Sequence, residues 1–93
     1  MDDKQIVDLY FVRDERAIAE TEQKYGRFCL RIAMNVLDVW EDAEECVSDT
    51  YLSAWKQIPP TIPRSLKAFL GRIVRNLSIS RFRAMRAKKR YNG

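Results

Sequence analysis

"AMNVLDVWEDAEEC" (residues 33–46) decides how this 93-residue chain folds. Apolar residues at helical spacing run into it from Ala17 or Ile18 through Thr21, Tyr25, Phe28, Cys29, Ile32, Ala33 and Val36. They continue in phase beyond it through Trp40, Ala43, Val47, Tyr51 and Ala54. Periodicity alone therefore permits one helix from about Arg16 to Gln57, roughly 63 Å long. A chain of this length has an expected radius of gyration of about 12 Å, so that helix has to break. Asp38 is the expected N-cap of the second piece. Glu41 stands three residues on, in capping-box position, and the acids that follow suit the positive end of a helix dipole. The third helix is then expected over about 39–57.

Upstream, a short helix is expected from about Asp3 to Arg13 with Ile6, Leu9 and Tyr10 on one face, and Asp14 can cap the next. Gly26 lies inside that second helix, where it costs about 1 kcal/mol against alanine. Downstream, all three prolines fall within "QIPPTIPRS" (57–65), where fixed φ angles and missing donors forbid helix and stiffen a loop. Ser65 can cap a last helix whose core stripe is Leu66, Phe69, Leu70, Ile73, Val74 and Leu77. The stripe fades after Leu77, and the terminal "MRAKKRYNG" is expected to fray. No segment alternates with period two. The fold class is all-α: a compact bundle of three to four helices, the last long and basic.

Charge is strongly partitioned. Residues 1–49 hold all 13 acids and six bases, whereas residues 50–93 hold 11 bases and no acid. One half suits a basic partner and the other a polyanion. On the last helix Arg72, Arg75, Asn76, Ile79, Ser80, Arg83 and Arg86 share the side away from Ile73, a stripe able to neutralise phosphates. A solvated helix face would normally carry both signs of charge. Phe82 is the ring best phased to stack on a base, while Trp55 and Phe69 fall in phase with core positions.

Glu41, Glu45 and Asp49 stand at successive i, i+4 positions with Asp42 beside them, an arrangement more typical of a solvated or protein-binding face than of a metal site. With no histidine in the chain, neither a Cys/His zinc site nor a Glu-x-x-His di-iron site can be assembled, and no cofactor is expected. Cys29 and Cys46 form no C-x-x-C pair and are expected as reduced core residues. Nucleophile pairs lack a base and no phosphate-cradling glycine loop is present, so an enzyme is not expected. No apolar run reaches the ~20 residues that span a bilayer and the start lacks a signal peptide, so a cytoplasmic location without membrane contact is expected.

"DAEECVSDTYLSAW" (42–55), followed by a proline-containing loop and "SLKAFLGRIVRNLSISRFR" (65–83), resembles region 2 of bacterial sigma factors of the extracytoplasmic-function class. "YGRFCLRIAMNVL" (25–37) fits the helix that precedes these motifs in that family. The resemblance implies a domain that docks on the beta-prime clamp helices of core RNA polymerase and holds the non-template strand of the promoter minus-ten element as it melts. An anti-sigma factor is a further partner of that kind. Carried over position by position, docking falls to Asp42, Glu45, Ser48 and Asp49. DNA contact falls to the loop around Ile62–Ser65, including Arg64 and Ser65, and to Lys67, Arg72, Arg75, Asn76 and Arg83.

Three positions depart from the family's habit. Ser48 replaces a common glutamine and shortens a contact, Phe69 replaces a tryptophan, and Ser80 replaces an aspartate that would have repelled phosphate or paired with arginine. The resemblance implies that residues 1–87 form the region 2 domain and that 88–93 begin a linker to an absent helix-turn-helix domain, as in an excised piece, which the ragged end favours, or in a truncated protein. Two other classes stay open on the residues alone: a freestanding helical DNA- or RNA-binding regulator, and a protein-binding adaptor without promoter contact.

Overall fold

Asp2 opens the first helix with a complete capping box. Its carboxylate accepts from the Gln5 amide at 2.8 Å, and the Gln5 side chain accepts from the Asp2 amide at 3.0 Å. The computed structural model describes the backbone of residues 1–92 and side chains through residue 88; Gly93 and the side chains of 89–92, within the expected linker, lie outside the described residues. The order is α1 (Asp3–Phe11), α2 (Arg16–Val36), α3 (Trp40–Gln57) and α4 (Leu66–Asn92). The chain is all-α, as the periodicity predicts. None of the described helices is long and apolar enough to cross a membrane.

The break between α2 and α3 falls where it is required, but the Asp38 capping box does not form. Val39 stands at the N-cap with extended backbone, and no side-chain hydrogen bond caps this end. Leu37 makes the break instead: it leaves α2 in extended conformation (φ −111°, ψ 137°) and is 2 % exposed. Burying a leucine is worth roughly 2 kcal/mol and a capping oxygen about 1, so packing sets the turn. Trp40, expected in the core stripe, is 51 % exposed on the solvent side of that turn.

α2, α3 and α4 pack against one another, and α1 lies on α2. Small residues at the contacts, Ala17, Ala33, Ala43 and Ala54, bring the backbones close, while Ile6, Tyr10, Ile58, Leu66, Leu70 and Val74 fill the volume between them. Gly26 and Gly71 serve the same end, since a Cβ at either would stand 3.2 Å from the Tyr51 hydroxyl or the Phe28 ring respectively. The Tyr10 hydroxyl meets Thr21 Oγ1 at 2.6 Å, and Thr21 in turn donates to the Ala17 carbonyl at 2.8 Å, so the buried polar atoms joining α1 to α2 are satisfied. At the rim, Asp3 accepts from Lys24 Nζ at 2.7 Å and from the Tyr25 hydroxyl at 2.8 Å. The Lys24 contact holds the Asp3 carboxyl below the usual range, while burial, aided by Asp3, pushes the Tyr25 phenol up to about 12.

Both cysteines are free and buried. Burial pushes the Cys29 thiol up to about 11, which leaves almost no thiolate for reaction. The Ser78 hydroxyl is buried with no oxygen or nitrogen partner, beside only the weakly bonding Cys46 thiol. Ser78→Ala is therefore expected to stabilise the fold by about 1 kcal/mol, raising the melting temperature by roughly 4 to 8 °C in a calorimetric scan; a fall would show that the hydroxyl is satisfied.

α4 outruns the bundle. Its residues from Phe82 to Lys88 are all exposed, and helix continues to Asn92 through the segment expected to fray. The molecule consequently measures 49 × 23 × 21 Å, with a radius of gyration of 14.3 Å instead of the expected ~12 Å.

Candidate nucleic-acid and partner interfaces

Ser65 starts α4 by accepting the Ala68 amide on its hydroxyl at 3.1 Å and the Phe69 amide on its carbonyl at 2.9 Å. Leu66, Leu70 and Val74 are pulled into the core, and the 100° advance per residue then turns Arg72, Arg75, Asn76, Ser80 and Arg83 outward together. All five are exposed, and no acid lies on the same helix. Lys67 stands apart, about 140° around the helix from Arg72. Its ammonium lies 4.9 Å from the centre of the Phe28 ring on α2.

The candidate rings separate by environment. Phe82 is 39 % exposed with the Arg86 guanidinium 5.8 Å from its centre, whereas Phe69 is half-buried against the core. Trp55 is covered: the Arg13 guanidinium lies 3.7 Å over one face, and Tyr10 packs at 6.1 Å.

The proline loop is pinned at both ends and projects between them. Ile58 is fully buried at the α3 end and Leu66 is 1 % exposed at the α4 end, while Ile62 between them is 73 % exposed. Arg13 Nη1 donates to the Trp55 carbonyl at 2.8 Å and to the Ile58 carbonyl at 2.9 Å, groups left without helical partners where α3 stops. Arg13 itself sits at φ 57°, the left-handed conformation that ends α1. A cleft of about 400 Å³ runs between α1 and the loop, lined by Val7, Phe11, Ile62, Pro63 and Leu66 and edged by Arg64.

On α3, Glu41, Glu45, Ser48 and Asp49 are exposed on one face, which Leu52, an apolar side chain 49 % exposed, ends one turn further on. Asp42 differs from them. Arg81, reaching back from α4, places Nη2 2.7 Å from Asp42 Oδ1 and Nη1 3.1 Å from Glu45 Oε1. The Asp42 side chain is only 18 % exposed and that of Glu45 57 %. Asp42, then Glu45, stabilises the charged guanidinium and raises its pKa further.

Asp42 thus fastens α3 to α4, and Glu45 shares that bond while still reaching solvent. Arg81, Leu52 and Arg13 are the residues that sequence reasoning missed. Two left a trace: Arg81 interrupts the core phase of α4 after Val74 and Leu77, and Leu52 is an apolar residue that follows the acids on the same face of α3. Arg13 left none, because its partners are carbonyls 42 and 45 residues away.

Among protein families, the one described as Sigma-70 region 2 matches residues 23–88. No curated protein and no solved structure matches the chain.

Proposed function

The chain belongs to the sigma-70 region 2 family, and from that premise we propose that it docks on the beta-prime clamp helices of RNA polymerase and holds the melted non-template strand of the minus-ten element. Sigma-70 region 2 is a non-enzymatic domain of transcription initiation, with a general role in promoter recognition. The finer reading rests on one observation above all: an acid-free exposed stripe on α4 beside an acidic face on α3, the two helices packed together.

Arg72, Arg75 and Arg83 lie along the phosphates and release counterions, while Asn76 offers both a donor and an acceptor. Ile62 and Arg64 on the pinned loop, with Phe82 further along, meet unstacked bases. Each base step lost on melting forfeits roughly 1.4 kcal/mol of stacking, and a base laid against a side chain recovers about 1 to 3. Opening is therefore balanced by binding, with no bond made or broken. On α3, Glu41, Glu45 and Asp49 face a basic partner helix, and Leu52 supplies an apolar contact at the C-terminal end of that row. Asp42 acts here through Arg81 to hold α3 in place, and Ser65 through the helix cap it makes. An anti-sigma factor would bind by covering these same faces. The chain works in the cytoplasm, where polymerase and promoter are.

Binding of the chain to single-stranded minus-ten DNA, the same duplex, the matching RNA and the isolated clamp helices, each across a salt series, tests this reading. Recovery of the clamp helices and preference for the single strand are expected. Tight duplex or RNA binding without clamp recovery would favour a freestanding regulator, and clamp recovery without nucleic acid an adaptor.

A further inference from the structure

The family match begins at residue 23, so α1 and the turn after it take no role from that comparison. From that turn Arg13 nevertheless reaches the start of the proline loop. It holds the Trp55 and Ile58 carbonyls with one nitrogen while its guanidinium carbon lies 3.7 Å over the Trp55 ring. A guanidinium does both at once because its donors lie in the plane that stacks. The backbone at Arg13 is fixed as well: its amide donates to the Tyr10 carbonyl at 3.0 Å, and the next amide, of Asp14, to the Leu9 carbonyl at 2.9 Å. The side chain therefore starts from a rigid base in α1, which Tyr10, Thr21 and Asp3 tie to α2.

On the receiving side, Ile58 donates its amide to the Ala54 carbonyl and Thr61 donates to Gln57, both at 2.9 Å. The direction in which the loop leaves α3 is thus set within a few residues of the carbonyls that Arg13 holds.

We propose that Arg13 is a positioning residue for single-strand recognition: by fixing the Trp55 and Ile58 carbonyls it aims the proline loop, so that Ile62 and Arg64 stand ready for an unstacked base before DNA arrives. The inference rests on the reading of that loop as a DNA contact. Arg13 makes no phosphate contact in this role; its effect is to remove an ordering cost from binding.

The test compares the 93-residue chain with Arg13→Ala, Arg13→Lys and Ile62→Ala. All are held below their unfolding transitions, and the probe is a labelled oligothymidylate of about twelve nucleotides titrated at several salt concentrations. Amide exchange at Ile58 and Thr61 is followed in parallel. In Arg13→Ala, exchange at these two amides is expected to rise about tenfold while that of Cys29 in α2 stays unchanged. Oligothymidylate affinity is expected to fall about fivefold with an unaltered salt slope. Arg13→Lys, with charge but no planar fork, is expected between the two. Ile62→Ala should lose affinity with no change in exchange.

Unchanged exchange in Arg13→Ala overturns the proposal, as does wild-type affinity in Arg13→Ala when Ile62→Ala has lost it; the loop reading survives both results. If the wild-type chain does not bind the probe, or if Ile62→Ala binds as wild type, the loop reading fails and the proposal falls with it.

Discussion

Replacing Arg75 and Asn76 together by alanine is expected to lower affinity for single-stranded minus-ten DNA by about tenfold or more and to leave clamp-helix binding unchanged. Both residues are exposed on α4, on the side away from Leu70 and Val74, so the core does not feel the change. Surface substitutions of this kind stay within about 0.5 kcal/mol of the parent's stability. The loss should carry a signature beyond its size. Removing one cation that contacts phosphate reduces the slope of log K against log salt by about 0.7 on a single strand, and losing an amide that reads a base does not. A double variant that loses affinity with a slope reduced by one contact therefore assigns the phosphate to Arg75 and the base to Asn76. Equal loss of DNA and clamp binding would count against two separate faces.

Charge reversal on α3, Glu45→Lys with Asp49→Lys, is expected to weaken recovery of the clamp helices by more than tenfold while single-strand binding is kept or tightened. The two changes turn two attractive contacts with a basic partner into repulsive ones, and the added cations favour the polyanion at longer range. The fold should survive. Arg81 loses its contact with Glu45 at 3.1 Å but keeps Asp42 at 2.7 Å, and an exposed pair contributes about 0 to 1 kcal/mol. A circular dichroism melt near that of the parent would confirm that the docking face alone was altered. Unchanged clamp recovery from a folded variant would remove α3 as the docking site.

The two faces differ in how far the sequence reveals them. The α4 stripe is local: once Leu66, Leu70 and Val74 turn inward, helical geometry alone puts Arg72, Arg75, Asn76 and Arg83 outside. Lys67, grouped with them by motif, faces Phe28 because it lies on the other side of the same helix. The acids proposed for docking are less legible. Asp42 and Glu45 look alike in the sequence, and only the approach of α4 distinguishes them, by placing Arg81 against both. The chain break at residues 37–39 shows the same limit. Its existence follows from length, but the agent is the buried Leu37 and not the Asp38 cap, because a cap motif states only what an isolated helix end would prefer.

By itself, the sequence determined an all-α bundle of three to four helices, the proline loop, the reduced buried cysteines and the division into acidic and basic halves. These follow from spacings of three or four residues, from φ angles that proline imposes and from a count of charges. The tertiary structure alone decided that Arg81 binds Asp42 across 39 residues and that Arg13 closes the end of α3 across 42 and 45. Such pairs join long side chains to whatever polar atoms packing brings within reach. No helical period encodes that choice, because it exists only once the helices have met.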